Sequence, residues 1–252
     1  MKDYKIFDEI PLIKNAVIAL GNFDGMHLAH RHLVEKVCQG ARAICGNSVI
    51  ISFLPPPRKT VSQKNTPCVL STEQEKGFML SKIGVNKLIT MKLTPEISNM
   101  NYIDFIHFLQ TKMDIKKIVL GYNHHFGKDR EGCYETLLPL GKELHFEVEK
   151  IEKQTIDGLD ISSSAIRYAL HCGDIETANK LLGYNYYIFL RTTNKKKEIR
   201  FDRNKLFPKY GRYTVKIDEQ YFTSTVEQHF IAVEGLGKEY ERYRVEFISG
   251  IE

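Results

Sequence analysis

Over the first two thirds of the chain, short apolar runs alternate with stretches of helix length. The runs Ala16–Gly21, Ser48–Phe53, Lys87–Met91, Lys117–Gly121 and His145–Ile151 are rich in β-branched residues and predict strands. Between them, at about 28–44, 72–83, 101–113 and 132–142, apolar residues recur every three or four positions. Ile103, Ile106 and Leu109 are one such series, and Phe78, Leu80 and Ile83 another, so helices are predicted there. Strands that are apolar nearly throughout and alternate with helices predict a parallel sheet covered on both faces. Two further helices are expected near 162–171 and 174–182, with Gly173 between them and Gly183 as a C-terminal cap.

After Gly183 the pattern changes. Tyr186–Arg191, Tyr213–Asp218, Thr225–Val233 and Tyr243–Ile248 read as strands with period-two alternation and no helix between them. An α/β domain over 1–184 is therefore expected, followed by a small antiparallel β domain over 185–252. The run Lys195–Lys197 reads as a solvated loop.

Composition narrows the function classes. In 252 residues, 42% hydrophobic and 27% charged, the chain is an ordinary globular one, which excludes disorder, collagen-like repetition and coiled coil as global descriptions. Thirty-six basic against 31 acidic residues leave +5, too weak a bias to imply a nucleic-acid partner. Five scattered cysteines without a CxxC pair fit neither a disulfide framework nor a cysteine zinc site. No apolar run approaches the ~20 residues of a membrane span, and Met1–Pro11 lacks the layout of a signal peptide. A soluble, cytoplasmic protein without a membrane partner is expected.

Two clusters carry candidate chemistry. The first strand runs into Gly21-Asn22-Phe23-Asp24-Gly25-Met26-His27-Leu28-Ala29-His30. The glycines permit a sharp turn and close approach of a ligand, and the helix that follows offers unpaired N–H groups to a phosphate. His27 and His30, three apart, are expected on one side of the first helical turn. There they can donate to an α-phosphate and stabilise the charge that grows as it is attacked. A capping histidine with a core histidine, or a zinc pair lacking a third ligand, are the other readings of a bare HxxH. The second cluster is Ile161-Ser162-Ser163-Ser164-Ala165-Ile166-Arg167. It reads either as a redundant N-cap or as a second phosphate site, with Arg167 adding a fork of donors one turn later. Both clusters are expected to follow strands of one parallel sheet and so to face one crevice at its carboxyl edge.

Taken together, GNFDGMHLAH, FLPPPRK (Phe53–Lys59), VLGYNHHFGKDREG (Val119–Gly132) and ISSSAIR with GDIETANKLLG (Gly173–Gly183) resemble the adenylyltransferase module of prokaryotic FAD synthetases. These proteins join a riboflavin kinase to an FMN adenylyltransferase. The resemblance covers roughly residues 14–190. It implies a Rossmann-like nucleotidyltransferase fold and the reaction ATP + FMN → FAD + pyrophosphate, with Mg²⁺ on the phosphates. It implies that Gly21, Asn22, Phe23 and Asp24 surround ATP, that His27 and His30 form the HxGH pair, and that Asn123 lies near both substrates. Ser162, Ser163 and Arg167 match the element that holds the pyrophosphate end.

The chain also departs from the family pattern. Ala29 stands for the glycine of HxGH, Pro56 for the histidine of FxPHP, and His124 and His125 for an aromatic and often an arginine. FPKYGRYTVKI (Phe207–Ile217) resembles a strand of the kinase domain, and Glu227 stands where its catalytic glutamate would be. The glycine-rich stretch ending in PTAN has no match, and RTTNKKKEIRFDRNKL occupies its place. The resemblance therefore implies a shortened, degenerate kinase part without riboflavin kinase activity, in which the strands serve as a buttress. A non-catalytic flavin- or nucleotide-binding regulator derived from the family, and an adenylyltransferase for another acceptor, are the alternatives.

Overall fold

Val17–Leu20 and Val49–Phe53 are buried at every successive position, as a strand covered on both faces must be. In the structure, a computed structural model, residues 1–54, 68–193, 196–200, 204–227, 230–235 and 242–251 are described. Residues 55–67, which hold Pro56 and most of the FLPPPRK motif, lie outside them. By packing the chain forms two compact units. One comprises Met1–Phe23, Ala29–Thr66 and Glu73–Lys153, and the other Asp24–Leu28, Pro67–Thr72 and Gln154–Glu252.

The first unit holds six strands: β1 (Lys2–Tyr4), β2 (Ile13–Leu20), β3 (Asn47–Leu54), β4 (Lys87–Lys92), β5 (Met113–Leu120) and β6 (Glu147–Lys150). Every pairing is parallel, in the order β1-β4-β3-β2-β5-β6. Helices α1 (Leu28–Ala43), α2 (Glu73–Ile83), α3 (Pro95–Ser98), α4 (Tyr102–Gln110) and α5 (Tyr134–Glu143) connect them. The chain builds outward from β2 first through β3 and β4, then through β5 and β6, so the order reverses between β2 and β5. In open α/β sheets, ligands bind beyond the carboxyl ends of the strands at such a reversal. Here those ends lead into Gly21–Phe23 and Gly121–Asn123. The core contains Ile18, Ile51, Ile89, Phe105, Ile106, Ile118 and Leu137, all buried. Each contributes about 1.5–3 kcal/mol by leaving water. Asn101 caps α4 by accepting from Asp104 N at 2.8 Å.

The second unit opens with a small hairpin, β7 (Thr155–Ile156) and β8 (Leu159–Asp160), followed by α6 (Ser163–Cys172) and α7 (Ile175–Leu182). Gly173 and Gly183 end these helices in the left-handed conformation, as their positions predict. Strands β9 (Tyr187–Thr193), β10 (Lys196–Arg200), β11 (Gly211–Ile217), β12 (Gln220–Glu227), β13 (Phe230–Val233) and β14 (Arg242–Ile251) follow. They pair antiparallel in the order β10-β9-β14-β11-β12-β13, an open half-barrel among the described residues. Asn179 of α7 ties helix to sheet. Its Nδ2 donates to Phe247 O at 2.9 Å and its Oδ1 accepts from Tyr186 N at 2.7 Å. The division of the chain expected at residue 184 follows the change from helix to strand, whereas packing groups α6 and α7 with the strands that come after.

Several expectations are corrected. Of the run Lys195–Lys197 expected as a loop, Lys196 and Lys197 open strand β10, which pairs with β9 across a register shift, and Lys195 lies outside the described residues. Thr225–Val233 is not one strand but parts of β12 and β13, which pair antiparallel. The helix expected to 113 stops at Gln110, because Met113 already belongs to β5. In α2, Phe78 is exposed, while Lys76 is buried and donates to Ser52 Oγ and Glu73 Oε1, both at 2.8 Å. A satisfied cation thus occupies the inner face that apolar spacing assigned to an aromatic ring. Among the described residues no helix is long and apolar enough to cross a membrane.

Candidate active site

The sheet pattern extends one residue past β2, since Gly21 N donates to Ile51 O at 3.0 Å. A Cβ at Gly21 would lie 3.2 Å from the Phe23 ring, so the glycine lets that ring fold back on the backbone. Phe23 itself is buried at φ 50, a conformation an aromatic residue holds only when its surroundings impose it. Its ring centroid lies 5.3 Å from that of His30, in the first turn of α1. Gly25 and Met26 also have positive φ, and α1 begins at Leu28. His27 therefore precedes the helix; of the two histidines, only His30 occupies the first turn.

Asp24 is the centre of the second cluster. Its buried carboxylate accepts from Leu70 N (2.9 Å) and Ser71 N (3.0 Å) through Oδ1, and from the Arg167 guanidinium through Oδ2. A second Arg167 nitrogen donates to Cys68 O. Ser162 caps α6 by accepting from Ala165 N at 3.2 Å, and Ser163 spends its O–H on Asp24 O at 3.0 Å. Asp24, Ser162, Ser163 and Arg167 are thus brought together at the start of a ten-residue helix. Two of the five guanidinium N–H groups hold Arg167 in place, and the fork remains a multiple donor. One expectation fails here: the serine cluster follows β8 of the small hairpin, not a strand of the parallel sheet.

Sequence reasoning missed the segment 68–71, called the strap below. Its backbone holds Asp24 and Arg167, and Ser71 Oγ accepts from Gly25 N at 2.9 Å. Tyr184 closes the same turn by donating to Gly25 O at 2.7 Å. At φ +82, Gly25 would place a Cβ 3.0 Å from Leu70 Cδ1. Gly25→Ala is expected to cost about 1–2 kcal/mol for the left-handed conformation and to push the strap outward. Urea unfolding measures the loss, and a change under 0.5 kcal/mol would contradict this reading of the turn.

His27 is buried, and burial lowers its pKa from 6.5 to about 4, so its imidazole is neutral at pH 7. It offers a hydrogen bond there, not a full positive charge. On the loop after β5, Asn123 is exposed, at the carboxyl edge of that strand. His124 stacks on Phe126 with centroids 6.1 Å apart, and Phe126 continues through Phe105 to Phe53 at 5.8 and 6.2 Å. The Nε2 of His124 is buried without a hydrogen-bond partner. Its pKa is lowered to about 4 by burial first, then by the charges of His125 and Arg130.

Both histidines fold neutral and bind protons more readily when unfolded, so the unfolded chain takes up more protons between pH 6.5 and 4. Their contribution to stability is whole above pH 6.5 and falls as the pH drops to about 4. The loss is on the order of 3 kcal/mol for each. His124→Phe is expected to raise stability at pH 7, by removing the orphaned nitrogen, and to flatten this slope. Melting temperatures from pH 7 to 4 test it, and an unchanged slope would reject the assignment.

Of these groups, Gly21–Phe23 and Asn123 lie at the carboxyl edge of the first sheet. An open cavity of about 740 Å³ lies instead near the amino ends of β2 and β5, lined by Asn15, Lys116 and Lys117 among others. Two of its lysines are matched by acids, Lys116 with Asp114 at 2.9 Å and Lys117 with Glu147 at 3.0 Å. Among the described residues no three His, Cys, Asp or Glu side chains group as a metal site.

A family model described as FAD synthetase matches residues 10–165. A bifunctional riboflavin kinase/FMN adenylyltransferase of Listeria monocytogenes is 30% identical over 217 residues, 80% of this chain and 68% of the relative. One from Buchnera aphidicola is 31% identical over 67% of this chain, which spans only 54% of that relative's length. A crystal structure titled macrolide-efflux protein, from Streptococcus pneumoniae, shares the fold. Its TM-score is 0.84 at 20% identity, over all of this chain and 91% of that one.

Proposed function

We propose that this chain, which belongs to the FAD synthetase family, is an FMN adenylyltransferase that converts ATP and FMN to FAD and pyrophosphate. The observation that carries the reading is Arg167, fixed by Asp24 and Cys68 O beside the serine-capped start of α6. That is a preformed anion site of the kind a leaving pyrophosphate needs. A phosphate oxygen of FMN attacks the α-phosphorus of ATP, and the bond from that phosphorus to the bridging oxygen of the β-phosphate breaks. The attacking oxygen is already ionised at neutral pH, so no strong base is required. Gly21, Asn22 and Phe23 border the nucleotide, and His27 and His30 donate to the α-phosphate as its charge grows. Asn123 serves at the flavin side. Mg²⁺ enters on the phosphates of ATP, as part of the substrate.

The test is incubation with ATP, Mg²⁺ and FMN. FAD and pyrophosphate in equal amounts are expected, and their absence despite bound ATP or FMN would replace this reading with the non-catalytic one. In a parallel reaction with riboflavin in place of FMN, no FMN is expected. Glu227, at the exposed end of β12 opposite Phe230, is the candidate base, and Lys196–Arg200 is a strand where the kinase would need a phosphate cradle. FMN production lost on Glu227→Gln would overturn that expectation.

A further inference from the structure

The strap is held from its far side as well. Val69 N donates to Asn204 O at 2.5 Å and Leu206 N to Val69 O at 2.8 Å, an isolated parallel bridge centred on Val69 and Lys205. Lys205 is 4% exposed, an unusual state for a lysine. Its Nζ donates to Leu70 O at 2.7 Å and sits 4.8 Å and 5.1 Å from the ring centroids of Tyr186 and Tyr187. The Tyr186 hydroxyl donates to Leu206 O at 2.7 Å and so fixes the other side of the same segment.

Leu70 consequently carries two opposed duties. Its N–H is bound to the carboxylate that orients Arg167, and its carbonyl is bound to a buried ammonium. Donation to the carbonyl draws electron density from the following peptide unit, whose N–H belongs to Ser71 and is also given to Asp24. We propose that Lys205 is a positioning residue of the ATP site: through the strap it sets Asp24 and, through Asp24 and Cys68 O, the guanidinium of Arg167. The inference rests on the adenylyltransferase reading for what Arg167 binds. It gives the segment between β10 and β11 a part in nucleotide binding that needs no kinase chemistry.

The experiment uses the full chain and two readouts. Calorimetry with MgATP compares the wild type with Lys205→Met, Arg167→Ala and the double variant. Lys205→Met is expected to weaken ATP about tenfold alone and less than about twofold when Arg167 is already gone, because the two act in series. Equal effects in both backgrounds would overturn the inference. Alkylation of cysteines, resolved by peptide mass, reads the strap directly. Cys68 is expected to react several-fold faster in Lys205→Met, with buried Cys38 unchanged as the control for unfolding. Lys205→Arg, which keeps the donor, is expected to restore most of both readouts. Should Lys205→Met fail to fold, Tyr186→Phe loosens the same segment more mildly and should shift both readouts in the same direction. An unchanged Cys68 rate and ATP affinity in the folded variant would reject the role. A wild type that binds ATP but makes no FAD would instead reject the proposed reaction and leave these measurements standing.

Discussion

His27→Ala is expected to lower the rate of FAD formation by about 10²-fold or more, with the fold retained. The magnitude follows from the setting. A neutral imidazole, buried next to the start of α1, has already lost its hydration and is held in place before substrate arrives. A hydrogen bond from such a group to charge that develops at the α-phosphate gains most in the transition state, and little in the ground state. The loss should therefore appear in kcat more than in KM for either substrate. A second consequence has the opposite sign. Because neutral His27 is a burden in acid, its removal should make the fold less sensitive to pH between 6.5 and 4. A variant that forms FAD at the normal rate, yet shows this gain in acid, would leave His27 as a buried structural residue with no part in the reaction.

Arg167→Ala is expected to act on binding and stability together. Truncation removes the donor fork for the pyrophosphate end, so ATP should bind at least about tenfold more weakly, while FMN affinity stays nearly constant. It also strands the Asp24 carboxylate, which is 7% exposed, and leaves Cys68 O without that donor. Removing one partner of a largely buried ion pair costs on the order of 3 kcal/mol. Arg167→Lys keeps one charge but not the fork, and should recover stability better than it recovers ATP binding. FMN affinity that falls while ATP affinity holds would mean that Arg167 faces the flavin.

The strands β2 to β5 were legible because each contains a short, largely apolar and β-branched run, and because glycine marks the turn after β2 and after β5. Both loops that flank the reversal in strand order could be found by motif. The strap could not. Its contact with Asp24 spans 46 positions and that with Lys205 spans 135, and both use backbone atoms, which carry no residue-type signal. Lys205 and Lys76 were hidden for a related reason, since periodicity assigns lysine to water and only the neighbouring acceptors reverse that. β1 escaped because three residues of polar sequence pair with β4 entirely through their main chain. The serine cluster was found by its motif, but its setting was misplaced, because a two-residue strand such as β8 has no readable pattern.

The unit built around Asp24 has a consequence for how the chain is made. The first unit closes with Lys153, so its sheet and core can assemble while the remaining residues are still being synthesised. Asp24, by contrast, leaves the ribosome 143 residues before its arginine. At synthesis rates of ~5–20 residues per second that is a wait of roughly 7–30 s, and Lys205 comes later still. During that interval the Gly25 turn lacks its ion pair, and the strap lacks the bridge that anchors it. The site proposed for ATP around Asp24 and Arg167 is thus among the last parts of the chain that can be completed, so a nascent chain can own a finished parallel sheet before that site exists.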